Sequence, residues 1–255
     1  MPVSKKFVLT GFPLAVGLAL LSACGPAPLP PGGAINDPHE GQNRAVHEFN
    51  RGLDRAIVRP ASQVIGQSLP KPVLAGVGRM SSNLSQPGTV INDLLQLRMA
   101  DAMHNTSRFL INSTIGLLGI FDPASVMGLE ERKSDFGQTL HVWGVPEGAY
   151  VELPVFGPST SRDTLGRVVD IVMNPFRGLD VRPANAVRGV NITSRLGDRY
   201  RFGETIDSIL HKDGNSYARA QSLYLQNRRF ELRGDGEPVY FDPYVDPFFN
   251  PYPGK

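Results

Sequence analysis

The sequence predicts a mainly α fold, a single domain of short amphipathic helices joined by proline- and glycine-rich loops. Three observations point there. Apolar residues recur at helical spacing in several separate segments, most of them preceded by a capping residue or a proline. With 22 prolines and 27 glycines in 255 residues, those segments must be short. No stretch sustains the alternation of a strand, and no internal repeat is found. The composition, 41% hydrophobic and 20% charged, is that of a chain able to build a core.

Residues 1–23 read as a secretory leader rather than as mature structure. Lys5 and Lys6 make a positive start, Phe7 to Leu21 an apolar run too short for a membrane span, and small residues follow. The leader ends Leu21-Ser22-Ala23-Cys24, which resembles a bacterial lipobox, in which the cysteine is diacylated and becomes the new N-terminus. The alternative is an ordinary signal peptide with a chance cysteine nearby. Cys24 is the single cysteine of the chain, and lipidation accounts for an unpaired thiol in an exported protein. Several acyl chains hold a membrane far more firmly than one. Gly25 stands where an aspartate would retain the lipoprotein at the inner membrane, so the outer membrane, periplasmic leaflet, is the expected address. Residues 24–36 then form a lipidated, proline-rich tether. Removing Lys5 and Lys6 takes the formal charge from +2 to 2 − 2 = 0. A neutral chain has no basic field for nucleic acid.

The helical domain is expected over residues 37–233. Asp37-Pro38-His39-Glu40 starts a helix with Asp37 as N-cap. Val46, Phe49, Leu53, Ala56 and Ile57 share one face, and Pro60 should end the helix near Arg59. Pro72 opens a second helix with Val73, Val77, Met80 and Leu84 on one side; Pro87 opens a third with Val90, Ile91, Leu94 and Leu95. A fourth spans 99–113, with Met99, Met103, Thr106, Phe109 and Leu110 on one side and Asp101, Asn105, Arg108 and Asn112 largely on others. Polar and apolar faces are of comparable extent.

Ile115 to Leu129 is the most apolar stretch of the mature chain, repeatedly broken by Gly116, Gly119, Pro123 and Gly128. It is either a buried core hairpin or a segment lying within one leaflet. From Asp135 to Asp163 comes the densest stretch. Asp135 caps a short helix with Phe136, Leu140 and Trp143 on one face, Gly144 ends it, and Pro146, Pro154 and Pro158 force an extended arm. Ser159 or Ser161 caps the next helix, whose apolar positions are Leu165, Val168, Val169, Val172 and Met173. Asn174-Pro175 breaks the chain. From Ala184 to Leu210 the helix should be interrupted at Gly189, Gly197 or Gly203, and Ser216 caps a last helix through Tyr217, Ala220, Leu223 and Tyr224. Residues 234–255 are proline-rich and aromatic without pattern. They read as a disordered tail, or alternatively as an interfacial or partner-binding segment.

Several of these motifs coincide with one family. FGQTL followed by GVPEGAYVELPVFGPSTSRD, the string Asp37, Pro38, Glu40, Gly41, Asn43, Arg44, Phe49, Asn50 with Val58-Arg59-Pro60, the set Asn83, Leu84, Pro87, Asn92, Leu95, Gln96, the loop LINSTIGLLGIFDPAS and the terminal YLQNRRF all resemble the MlaA (VacJ) family. Members are outer-membrane lipoproteins of Gram-negative phospholipid transport. The resemblance implies a ring of amphipathic helices around an amphipathic channel. Through it, phospholipids misplaced in the outer leaflet would pass to a soluble periplasmic carrier and on to an inner-membrane ABC transporter, with trimeric porins as partners. It implies lipid contact at Leu117, Leu118, Gly119, Ile120 and Phe121, an entrance shaped by Asn43, Arg44, Phe49 and Asn50, and anchoring at Cys24. The aromatic tail departs from the family's usual polar one.

Catalytic and metal sites are not expected. His39, His47, His104, His141 and His211 show no HExxH or HxH spacing, Gly157-Pro158-Ser159-Thr160-Ser161 lacks the second glycine of a nucleophile elbow, and Gly76-Val77-Gly78 lacks the third glycine of a dinucleotide fingerprint. No cofactor is implied. A membrane-anchored lipid hydrolase would have to assemble Ser159, His141 and Asp163 through the fold, and a structural envelope lipoprotein is the remaining alternative.

Overall fold

The computed structural model describes residues 35–178, 181–212 and 214–233; Cys24 with its leader, and the aromatic tail 234–255, lie outside the described residues. The elements are α1 (Glu40–Leu53), a π-helical turn (Asp54–Val58), α2 (Arg59–Ser68), α3 (Lys71–Leu95), α4 (Met99–Thr114), α5 (Pro123–Val126), α6 (Phe136–Val142), strands β1 (Tyr150–Leu153) and β2 (Gly157–Thr160), α7 (Ser161–Met173), a 3-10 turn (Pro175–Gly178), α8 (Val181–Arg201), α9 (Gly203–Leu210) and α10 (Ser216–Leu232). The fold is mainly α, as predicted, and forms one domain.

Two expected breaks are absent. Pro60 does not end the first helix, because the π turn ahead of it widens the coil: Arg59 donates its N–H five residues back to Asp54, which opens space for the ring. Pro87 lies inside α3, a continuous helix of 25 residues. One ladder bond is lost there, but α3 is held by α4 and α8. Caps shift too. Asp37 does not cap α1, whose N-cap is His39. Thr160, not Ser159 or Ser161, accepts from the N–H of Asp163 at the start of α7, and Asn215, not Ser216, caps α10. Asp135 does accept from Gln138 N–H. The extended arm closes into an antiparallel hairpin, Tyr150 opposite Thr160 and Leu153 opposite Gly157, turned with Val155 and Gly157 at positive φ. Of the glycines expected to interrupt the 184–210 helix, Gly203 alone marks a break.

Contacts between elements close into a circuit. α1 runs through the π turn into α2, α2 packs on α8, α8 meets α9, α9 meets α10, α10 touches β2, and β1 returns to α1. α3 also packs on α8 and joins α4 and α6, while α6 lies on α7. At that last crossing Gly166 brings α7 against the backbone of Gly137: a Cβ on Gly166 would stand 2.3 Å from the Gly137 nitrogen.

Burial is inverted relative to a water-soluble bundle. The faces buried by α3 and α4 are Asn83, Gln86, Thr89, Asn92, Asp93 and Ala102, Asn105, Arg108, Asn112. The apolar faces found by periodicity point outward instead. Phe49, Ile57 and Val64 are exposed along α1, the π turn and α2, Met99, Met103 and Leu110 along α4, and Val168, Ile171 and Val172 along α7. The buried apolar cluster is small, with Tyr150, Tyr217 and Leu225 at its centre and Tyr224 against it. Among the described residues no helix is long and apolar enough to cross a membrane.

Candidate functional site

The loop between α4 and α5 projects apolar side chains on a rigid backbone. Leu117, Leu118, Ile120 and Phe121 are all exposed, and Leu117, Leu118 and Gly119 are consecutive left-handed residues at φ 52°, 59° and 91°. That conformation costs a leucine roughly 1–2 kcal/mol and persists because the surroundings fix it. Gly119 N–H donates to the Asn112 carbonyl at 2.7 Å, Phe121 N–H to Gly116 at 2.9 Å, and Arg79 Nε to the Ile120 carbonyl at 2.8 Å. Only glycine fits at 119, where a Cβ would approach the Asn83 Cβ to 2.4 Å. Asp122 anchors the far end, accepting from Asn112 Nδ2 (2.8 Å), Ser125 Oγ (2.7 Å) and the Arg108 guanidinium (3.2 Å).

Behind this loop lies a cavity of about 1180 Å³ between α3, α8, α9 and residues 131–133. Its wall is amphipathic. Leu74, Tyr200 and Phe202 are apolar or aromatic; Lys71, Arg79, Lys133 and Arg201 are cationic; Glu131, Asp198 and Glu204 are acidic. Among the described residues none of these four cations has a carboxylate at ion-pair distance; Arg79 donates to the Ile120 carbonyl and Arg201 lies over the Phe202 ring at 5.2 Å. A volume above the usual 300–1,000 Å³ of small-ligand pockets suits a large amphiphile.

The cavity's far wall is held by a buried charge cluster at the π turn. Arg199 forks onto Asp54, with both bonds 2.8 Å, and reaches Asp207 at 2.6 Å; His211 Nε2 lies 2.8 Å from Asp54, and Arg59 meets Asp207 at 2.7 Å. Burial alone would raise the Asp54 carboxyl, but hydrogen bonds from Arg199 and His211 outweigh it and hold it below its ordinary value. Asp54, Asp207 and His211 bring ligand-type atoms within 4.8 Å of one another. The guanidinium bridging the two carboxylates already places a positive charge where a metal ion would bind.

The first-helix motif is a clamp on the hairpin. Asn43 donates Nδ2 to Asp37 (2.8 Å) and to the Tyr150 carbonyl (3.1 Å) and accepts from Glu152 N–H (2.9 Å). Two turns on, Asn50 donates to the Leu153 carbonyl (3.0 Å) and accepts from Val155 N–H (2.7 Å). Arg44 stacks its guanidinium over the Tyr217 ring at 4.5 Å, and Phe49 is exposed. Between the clamps His47 is buried beside Glu152 and Ser216. Burial and the Glu152 carboxylate push the Tyr150 hydroxyl, which donates to that carboxylate, far above its ordinary pKa.

Ser159, His141 and Asp163 do not assemble as a catalytic set. Ser159 is fully buried and accepts from Thr164 at 3.0 Å. His141 faces the Arg162 guanidinium, and burial followed by that charge lowers its pKa. Asp163 is engaged by Arg228 and by the Tyr224 hydroxyl at 2.8 Å, while Arg228 also grips Asp135 at 2.7 Å. Ser159 ties β2 to α7, His141 ties α6 to α7, and Asp163 ties α7 to α10. Sequence reasoning missed Arg79, Arg199 and the Arg108–Asn112–Asp122 set. The last left a trace: Arg108 and Asn112 share a helical face, and Asp122 precedes Pro123 as an N-cap does.

Comparison with known proteins agrees with this architecture. The MlaA lipoprotein family matches residues 35–231. The intermembrane phospholipid transport system lipoprotein MlaA of Shigella flexneri is 29% identical over 229 residues, 87% of this chain and 88% of that one. Its counterpart in Haemophilus influenzae is 31% identical over 80% of this chain and 82% of its own. An uncharacterised Rickettsia prowazekii protein is 39% identical over 78% and 79%. A structure solved for work on the structural basis for maintenance of bacterial outer membrane lipid asymmetry superposes with a TM-score of 0.64 at 28% identity, covering 77% of this chain and 98% of the other. The chain belongs to the MlaA lipoprotein family.

Proposed function

We propose that this protein is an outer-membrane lipoprotein of phospholipid transport, taking phospholipids misplaced in the outer leaflet and passing them toward the inner membrane, so that lipid asymmetry is maintained. The inverted burial carries the reading: helices that bury amides and charges and expose Val, Ile, Leu, Met and Phe are stable where the surrounding medium is hydrocarbon. The amphipathic cavity supports the second half. A zwitterionic headgroup needs a polar path, since bare charge in hydrocarbon is costly, and the acyl tails need an apolar one.

Finer points belong to the same proposal. Cys24 carries the acyl anchor in the periplasmic leaflet, the Leu117–Phe121 loop seats in lipid, a soluble periplasmic carrier receives the phospholipid, and a trimeric porin is the membrane neighbour. No step requires a catalytic residue. The test is the amount of phospholipid in the outer leaflet, read with a headgroup label that cannot cross the membrane. Deletion should raise it, the wild type should restore it, and Leu118→Asp should not. Unchanged labelling on deletion would overturn the proposal in favour of a structural envelope role.

A further inference from the structure

Beneath the Leu117–Phe121 loop, α3 and α4 enclose a second, smaller cavity of about 50 Å³. It shares Arg79, Ser82 and Glu131 with the large cavity and so adjoins it as a recess. On its walls Asn83 Oδ1, Gln86 Oε1 and Arg108 Nε are buried without hydrogen-bond partners among the described residues, each on a residue only 4% exposed. Buried polar atoms are almost always satisfied, and among the described residues these three have no partner. Two of the three are carbonyl oxygens that need donors, and the carboxylate of Glu131 stands at the junction with the large cavity, accepting from Ser82 Oγ.

Resting on the transport reading above, we propose that this recess selects the headgroup: it receives the primary ammonium of an ethanolamine-type phospholipid while the tails remain in the large cavity. An ammonium carries three N–H donors, one each for Asn83 Oδ1, Gln86 Oε1 and Glu131. Two methylenes behind it, the phosphate reaches Arg79 and the Nε donor of Arg108, the remaining unsatisfied atom. The charge of Arg108 itself is balanced by Asp122. A trimethylammonium group fails on both counts, being bulkier and having no N–H, and so leaves both carbonyl oxygens unpaired. A glycerol headgroup has donors but no positive charge for Glu131.

The test equilibrates the full-length protein in detergent with vesicles containing equal ethanolamine, choline and glycerol phospholipids, then reads the bound lipids by mass spectrometry. Wild type should be enriched on the order of 10-fold for ethanolamine over choline, the discrimination expected when charge-assisted hydrogen bonds are made for one headgroup alone. Gln86→Met, close in shape, and Glu131→Gln, at the exposed mouth and so harmless to folding, should each bring the bound composition to within about twofold of the vesicles. Bound lipid in vesicle proportions would overturn the inference and leave the recess to water, with transport untouched. Preference retained in both variants would overturn it equally. No bound phospholipid in any protein would overturn the transport reading and this inference with it.

Discussion

The sharpest test of the loop proposed to seat in lipid replaces Leu117 and Leu118 by asparagine. Both leucines hold left-handed backbone, φ 52° and 59°, a region asparagine tolerates and leucine does not. The double variant therefore keeps or slightly gains folding stability while losing its apolar tip. Burying a whole leucine gains about 1.5–3 kcal/mol. With Leu117 59% and Leu118 58% exposed, seating both in lipid is worth roughly 2–3 kcal/mol together. Their loss should weaken membrane partition about 30- to 150-fold. The measurement is flotation with phospholipid vesicles in a Cys24→Ala background, so that no acyl chain masks the effect, alongside thermal unfolding in detergent. A folded double variant that floats within twofold of its parent would refute the placement of the loop in lipid.

Arg199→Met strips the cation from the buried cluster and leaves Asp54 charged, which should cost about 3–5 kcal/mol in denaturant unfolding. The same cluster sets a pH dependence. Because the Asp54 carboxyl is held below its ordinary 3.8, its contribution is present above that pH and lost as pH falls through the depressed value, so acid should destabilise the wild type more steeply than Arg199→Met. Gly166→Ala forces a Cβ onto the Gly137 backbone and should cost about 3 kcal/mol or more, seen as a lowered Tm. Ser159→Ala should leave outer-leaflet phospholipid at its wild-type level and lower stability by about 1 kcal/mol or less; loss of lipid asymmetry with the fold intact would revive the hydrolase reading.

Periodicity located the helices well. The segment expected at 99–113 is the helix Met99–Thr114, and Phe136 and Trp143 meet edge to face 5.6 Å apart on the helix that Asp135 caps. What periodicity cannot carry is the sign of a face. It separates Met103 and Leu110 from Asn105 and Arg108 but contains nothing about the medium outside, so α4 reads the same whether its apolar side meets a core or a bilayer. Pro60 and Pro87 mislead for another reason. A proline ends a helix only when nothing repairs the turn, and the π turn and the packing of α3 are tertiary facts. The site itself was half legible. The Leu117–Phe121 loop stood out by composition, whereas Arg199 pairs with Asp54 across 145 residues of chain, a distance over which no local pattern speaks.

The scarcity of buried apolar side chains has a thermodynamic consequence. The positive heat capacity of unfolding comes from apolar surface newly exposed to water, and this interior of amides, carboxylates and guanidinia holds little of it. Unfolded within a micelle, the chain would leave its outer Val, Leu and Phe residues as well covered as before. Its stability curve against temperature should be shallow, with near-linear loss on warming and little weakening in the cold. Polar pairing rather than solvent exclusion then governs how this fold responds to temperature.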